Sequence, residues 1–331
     1  MSFFDGKKVL VTGASGFVGT NLLLRLLSTD ARIRAVVHHR RPWVQDPRIE
    51  YLACDLTLPE DCRRATDGVD YVFHCAASTS GAAVISQTPL VHVTSNIVMN
   101  AYLLESAYMA RVKKFLWLSS STGYPPTGER PVREEEMLQG DPYDKYFGVG
   151  WMKRYTEVLC RMYGQKLKNP LLTVVLRPTN IYGEYDDFLF ETSHVFAALI
   201  RKVVERHDPL EVWGTGEDVR DLLYVGDMID VMLQAMEQVD NYDVFNIGSG
   251  RGYRVKELLA MMLEAEGYQQ ARVVFDPSKP QMIPIRLVDV QKAKERFGFK
   301  PAVDVGEGIK RTLTWFRHNR EKVIAGERHR I

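Results

Sequence analysis

Cysteine is scarce in this chain, and its few positions exclude more than they suggest. The four residues Cys54, Cys62, Cys75 and Cys160 form no Cys-x-x-Cys pair and no metal-ligand spacing. A disulfide framework and a zinc module are therefore set aside, and no metal is expected. Cys54 and Cys75 stand in strand-like apolar surroundings and read as reduced core thiols. An excess of either charge is also missing, with 43 Lys and Arg against 42 Asp and Glu. No global basic field exists to hold nucleic acid or an anionic membrane surface. Uninterrupted apolar runs long enough to span a bilayer are absent. The start, Met1-Ser2-Phe3-Phe4-Asp5, has no basic stretch ahead of an apolar one, as a signal peptide would. There is no internal repeat or low-complexity tract. The expectation is a cytoplasmic protein whose partner is a small molecule, with no nucleic acid and no membrane.

What is present begins with glycine. Gly13, Gly16 and Gly19 follow the apolar run Lys8–Val11 and open a helical pattern over Phe17–Leu27. A strand, a tight glycine turn and a helix N-terminus suit a diphosphate: glycine allows close backbone approach, and the free amides and dipole of the helix start favour negative charge. The spacing Gly-x-x-Gly-x-x-Gly is one residue longer than the common dinucleotide fingerprint. Strand-like segments recur at Ile33–Val37, Ile49–Ala53, Val69–His74, Lys114–Ser119 and Leu172–Leu176. Helical patterns over Pro59–Thr66, Pro89–Ala110 and Tyr146–Tyr163 intervene. Such alternation predicts an α/β fold, a Rossmann-type doubly wound parallel sheet. The dinucleotide domain is expected over 1–180, with parts of 222–250 returning to the sheet. A smaller C-terminal substrate lobe is expected over 181–331, with helices near His194–Glu205, Val225–Gln238 and Arg254–Gly267. The acidic run Glu134-Glu135-Glu136 reads as a solvated loop.

A second absence bears on the cofactor. In NAD-binding versions of this fold a carboxylate at the end of the second strand grips the ribose 2′-hydroxyl. Here that place reads Val37-His38-His39-Arg40-Arg41, with no carboxylate until Asp46. Guanidinium groups pair well with a 2′-phosphate, so NADP(H) is favoured, with NAD(H) as the alternative. Asp55, after the third strand, is placed either to accept from the adenine amino group or to cap a turn.

Several later segments resemble the extended short-chain dehydrogenase/reductase family. They are Phe73-His74-Cys75-Ala76-Ala77, Leu118-Ser119-Ser120-Ser121, Arg177-Pro178-Thr179-Asn180-Ile181-Tyr182-Gly183, Arg220-Asp221-Leu222-Leu223-Tyr224-Val225 and Asn246-Ile247-Gly248-Ser249-Gly250. Three more segments are similar to the branch of epimerase–reductases acting on GDP-linked keto sugars: Ser120–Pro125, Ser193-His194-Val195, and Asp276–Pro280 followed by Arg286 and Asp289. The resemblance implies a nucleotide-sugar substrate. By position, the cofactor would lie against Gly13, Ser15, Gly16, Phe17, Val18, His39, Arg40, Arg41, Asp55, Leu56, Ala76, Ala77, Lys153 and Pro178. Asn180, Lys202, Trp213, Arg220 and Lys279 would face the nucleotide sugar. An indole can stack a base or sugar, and cations can neutralise a diphosphate.

The family protonates the substrate ketone from a tyrosine four residues before a lysine on one helix, aided by a serine. One helical turn stacks tyrosine and lysine on one face, and the cation lowers the phenol pKa. Here the lysine is Lys153 and the serine Ser120, but the tyrosine position is Val149, which has no proton to give. Tyr146, seven residues before Lys153, shares its helical face but lies about 4.5 Å further along the axis than the usual donor. Thr122, His194 or an ordered water are the other candidate donors. The resemblance also implies a cysteine–histidine pair exchanging protons at the carbons flanking the ketone. His194 matches the histidine, but Thr122 stands where the cysteine would be, and its hydroxyl is a poor carbon base.

The resulting expectation is 4-reduction of a GDP-4-keto-deoxysugar with NADP(H). The alternatives are a UDP- or GDP-sugar epimerase or dehydratase that retains its cofactor, and a non-catalytic nucleotide-sugar or NADP(H) binder. The helices over Pro89–Ala110 and Tyr146–Tyr163 carry apolar residues on more than one face, which predicts a homodimer.

Overall fold

Alternate residues of the central strands feed two separate hydrophobic cores. The computed structural model describes residues 2–79 and 88–325. The first six strands are β1 (Lys8–Thr12), β2 (Arg32–Val37), β3 (Ile49–Ala53), β4 (Tyr71–His74), β5 (Lys114–Leu118) and β6 (Leu172–Pro178). They are followed by β7 (Asn180–Tyr182), β8 (Leu210–Trp213), β9 (Val219–Tyr224), β10 (Asp243–Ile247), β11 (Gly252–Arg254), β12 (Val273–Asp276) and β13 (Ile285–Arg286). The central sheet has the order β3-β2-β1-β4-β5-β6-β10, with every pair parallel. Val9, Val11, Phe73 and Leu116 point into one core, while Leu10, Val72, Phe115 and Trp117 point into the other. This is the two-residue period of a strand buried on both faces, and it explains why the runs read as continuously apolar. Strand order reverses between β1 and β4, which opens a crevice at the carboxyl edge of the sheet.

The helices cover both faces. They are α1 (Phe17–Leu26), α2 (Pro59–Thr66), α3 (Thr94–Met109), α4 (Phe147–Gln165), α5 (Val195–Val204), α6 (Val225–Gln238), α7 (Val255–Ala265), α8 (Gln291–Phe297) and α9 (Val305–Ile324). α1 and α6 pack together on one face, and α2, α3 and α4 line the other. This is the Rossmann-type doubly wound sheet that the alternation predicted. Beyond it, β9 pairs with β7, β11 and β13, and β8 pairs with β12. α5, α7 and α9 pack against one another beside these small sheets. β10 rejoins the central sheet beside β6, while β9 stays in the small sheet. No described helix is long and apolar enough to cross a membrane.

Two helices differ from their patterns. The segment at 89–110 divides into a 3-10 turn, Pro89–His92, and α3. The segment at 146–163 opens with a 3-10 turn, Asp144–Tyr146, and its α-helix starts only at Phe147. Gly150 explains the close entry of the preceding chain. A Cβ there would lie 2.6 Å from Pro142 and 3.0 Å from the Thr122 carbonyl, so the loops can pack onto the first turn of α4 only because it is absent. The acidic run is not simply solvated. Glu134 is half-buried and accepts from the Asn246 amide at 2.8 Å, and Glu136 takes both Arg130 amino groups at 2.9 and 2.6 Å. All four cysteines are free thiols, three of them buried and Cys75 partly so.

One buried network ties these layers together beneath the carboxyl edge. Arg177 of β6 holds Glu157 of α4 through two nitrogens and reaches the Tyr124 hydroxyl at 2.5 Å. Ser119 donates to Glu157 at 2.5 Å, and Tyr124 donates to Asn246 at 2.6 Å. Removing one partner of such a buried pair strands the other charge, at a cost of about 3–5 kcal/mol.

Candidate active site

The glycine turn is shaped by contacts that exclude side chains. Gly13 has φ +65°, and a Cβ on it would lie 2.7 Å from the Ala76 nitrogen. A Cβ on Gly19 would lie 2.2 Å from the Gly13 carbonyl, so α1 rests directly on the turn. Gly16 caps α1 with no side-chain bond, leaving the first amides of the helix directed outward. Ser15 is buried in the turn and Phe17 and Val18 half-buried on α1, while Ala76 and Ala77 follow β4 on the other side of the crevice. A chain of polar groups supports it from below. The Ala76 amide donates to Thr12 Oγ1, which contacts His74 Nδ1 at 2.8 Å, and His74 Nε2 meets Asn100 Oδ1 at 2.8 Å. Burial pushes His74 down to about 4, so it stays neutral and its network uncharged at neutral pH.

At the far end of β2, His38, His39, Arg40 and Arg41 are all exposed. The rings of His38 and His39 lie 3.4 Å apart between centroids, tilted by 37°, and His38 Nε2 lies 3.9 Å from Asp55. Asp55 also accepts from the amide and hydroxyl of Thr57, whose bonds hold its carboxyl below the usual range. Leu56 is buried beside it.

Three of the catalytic candidates, Lys153, Ser120 and Thr122, lie at the end of β5. Lys153 Nζ donates to the Leu118 carbonyl at 2.9 Å and lies 4.7 Å from the Trp117 ring centre. Burial pulls its pKa down to about 8, against the opposing charge of Glu157. Ser120 Oγ accepts from the Thr122 amide at 3.2 Å. Val149 sits half-buried on the first turn of α4. Tyr146, one residue before α4, has Arg220 and Arg286 as its main charged neighbours, and burial raises its pKa. His194 caps α5 with extended backbone. It is open to solvent on one side yet set into the protein, and that desolvation lowers its pKa, with Asp187 opposing and His92 reinforcing the shift. Among the described residues, Thr122 Oγ1, Ser193 Oγ and Arg286 Nε are buried with no hydrogen-bond partner.

The substrate candidates divide into two groups. Arg220 donates to the Val219 and Pro284 carbonyls and pairs with Asp218 at 2.9 Å. Its neighbour Arg286, to which the sequence alone assigned no role, is 4% exposed and donates to the Tyr124 and Pro125 carbonyls, at 3.1 Å each. No carboxylate pairs with it among the described residues, and burial lowers its pKa to about 10. Asn180 opens β7, half-buried, two residues after the buried Pro178 that ends β6. The other group gathers at the end of β8. Lys202 Nζ donates to the Glu211 carbonyl at 2.7 Å, exposed Trp213 donates to Glu211 Oε1 at 3.0 Å, and Lys279 lies 4.0 Å from the same oxygen.

Residues 9–248 match the model of the NAD dependent epimerase/dehydratase family. A probable GDP-L-fucose synthase 1 from Oryza sativa subsp. japonica is 31% identical over 323 residues, covering 95% of this chain and 93% of the relative. Among solved structures, UDP-glucose 4-epimerase of Thermotoga maritima with UDP-glucose superposes with a TM-score of 0.84. The identity is 30%, over 95% of this chain and all of that one. UDP-glucose 4-epimerase of Thermus thermophilus in complex with NAD gives a TM-score of 0.81 at 26% identity, covering 94% and 99% of the two chains.

Proposed function

This chain belongs to the NAD dependent epimerase/dehydratase family, and from that premise we propose that it reduces a GDP-linked 4-keto-deoxysugar at C4 with NADP(H). One observation carries the reading. Arg286, a buried guanidinium with no counter-ion among the described residues, bonds the segment just beyond Ser120 and Thr122, and that segment leaves the same sheet edge as the glycine turn. A buried cation without an anion is costly, and a diphosphate would compensate it. The glycine turn fits a dinucleotide diphosphate, because its packing leaves backbone amides and no Cβ at the helix start. The exposed run His38–Arg41, lacking a carboxylate, favours the 2′-phosphate of NADP(H).

In this reading the cofactor, when bound, supplies the hydride. Ser120 hydrogen-bonds the keto oxygen. Lys153 holds the nicotinamide ribose and places positive charge near the developing alkoxide. His194, with its pKa lowered by desolvation, is an acid/base group near the sugar ring, and Thr122, His194 or an ordered water supplies the proton that the alkoxide takes up after hydride transfer. Val149 contributes no proton, and this favours a second reading, a homologue that binds without turning over. Loss of NADPH absorbance with a GDP-4-keto-deoxysugar supports reduction. Sugar isomerisation without net redox supports a retained-cofactor epimerase. Tight binding with neither supports the second reading.

Protonation of Lys153 gives a direct test of its role. The charged form is present below about 8 and lost above it. Cofactor affinity, followed by quenching of protein fluorescence, is expected to weaken as pH rises through that value. A flat profile would remove Lys153 from the ribose site.

The assembly we propose is a homodimer through α4. Phe147, Trp151, Tyr155, Val158 and Met162 are exposed along one stripe of that helix, each between 37% and 53%. Burying one such side chain is worth about 1.5–3 kcal/mol. Trp151→Lys is expected to convert a sedimenting dimer to monomer at micromolar concentration. A wild-type monomer in the same experiment would dismiss the interface.

A further inference from the structure

We propose that Glu211 selects the nucleobase, taking guanine and rejecting uracil and thymine. The inference deepens the nucleotide-sugar reading above and rests on it. It starts from the alternation of β8. Leu210 and Val212 are buried in the core, so Glu211 and Trp213 share the opposite face, where β12 places Val274 and Asp276 alongside them in register. Trp213 is 40% exposed, and its indole N–H is committed to Glu211 Oε1 at 3.0 Å. The ring is thus held as a flat apolar surface with a carboxylate fixed at its edge. Glu211 Oε2 accepts no bond among the described residues. Two cations flank the carboxylate: Lys279 at 4.0 Å from Oε1, and Lys202, bonded to the Glu211 carbonyl and close enough to Lys279 for the two charges to repel. These lysines keep the carboxylate from repelling an anionic ligand.

The chemistry of the base edges decides what this surface takes. A carboxylate only accepts hydrogen bonds. Guanine presents two adjacent donors, N1–H and the 2-amino group, which a carboxylate can accept in parallel. Uracil and thymine present one N–H between two carbonyl oxygens, and those oxygens are repelled by negative charge. Stacking on an indole favours every base about equally. Discrimination therefore falls to the edge contact, where an unmatched polar group is penalised strongly.

The test is calorimetric titration of GDP, UDP and dTDP into the full chain and into Glu211→Gln. The wild-type protein is expected to bind GDP about 10-fold or more tighter than the other two. Glu211→Gln is expected to lose that preference by weakening GDP about 10-fold while leaving UDP unchanged or tighter. Retained UDP binding shows that the variant is folded. GDP preference that survives in Glu211→Gln overturns the assignment while leaving the nucleotide-sugar reading intact. Equal wild-type affinity for the three nucleotides also overturns it. No binding of any nucleoside diphosphate overturns both.

Discussion

Val149→Tyr is expected to raise the rate of keto-sugar reduction by about 10²-fold or more. Position 149 lies on the first turn of α4 and Lys153 one turn later, about 6 Å along the axis, so the two side chains stack on one face. Lys153 already projects to the end of β5, where its ammonium reaches the Leu118 carbonyl two residues before Ser120. A phenol introduced at 149 would lie beside that ammonium and the serine hydroxyl. The positive charge favours phenolate and moves the acid toward the operating pH. The gain belongs in kcat, because the new group acts on the developing alkoxide and not on the bound sugar nucleotide. The variant should also show a new pH limb from the phenol. Single-turnover oxidation of NADPH measures both. An unchanged rate would mean that another group already supplies the proton.

Tyr146 stands in a different setting from position 149. It closes the 3-10 turn Asp144–Tyr146 and caps α4 with non-helical backbone angles. Its charged neighbours are Arg220 and Arg286, and Lys153 is charge-coupled to Glu157. If Tyr146 were the acid, Tyr146→Phe would abolish reduction with little change in nucleotide affinity. Its setting predicts the opposite: a modest loss of diphosphate affinity and retained kcat.

What could be read from residues alone follows from the range of each interaction. The central sheet and its helices were legible because period-two and helical patterns are local, and the match to the extended short-chain dehydrogenase/reductase family is borne out over most of the chain. The glycine motif was read as close approach to phosphate, whereas the crowding of Gly13 against Ala76 shows only in the fold. Long-range pairings leave no local signal. Glu157 looks like any helical acid until Arg177 of β6 and Ser119 of β5 close on it. Glu134 reads as one of three surface acids, yet the Asn246 amide 112 positions away draws it inward. The helical pattern began α4 one residue early, at Tyr146, which closes a 3-10 turn instead, and the role of Gly150 in admitting Pro142 and the Thr122 loop shows only in the fold. Glu211 passed unnoticed for a related reason. One carboxylate in a strand has no meaning until an indole and two lysines are folded around it.

Arg286→Met is expected to separate ligand binding from stability. Among the described residues Arg286 is a buried cation satisfied by two carbonyls, with a third nitrogen unpartnered and Arg220 adding repulsion. Replacing such a group with an apolar side chain of similar length removes a desolvated charge, so the melting temperature of the free protein should hold or rise. A charge-assisted hydrogen bond to phosphate is worth about 1.5–3 kcal/mol, so affinity for GDP and UDP should both fall by about 10- to 100-fold. The loss is the same for each base, because Arg286 would touch the diphosphate, whereas Glu211→Gln changes their ratio. Arg286→Lys should recover only part of the affinity, since an ammonium restores the charge without the planar fork. Calorimetric titration beside a thermal melt decides the matter. A fall in melting temperature that accompanies the lost affinity would make Arg286 a structural strut holding the Tyr124–Pro125 turn. Unchanged affinity would place the diphosphate elsewhere and take away the observation on which the substrate reading stands.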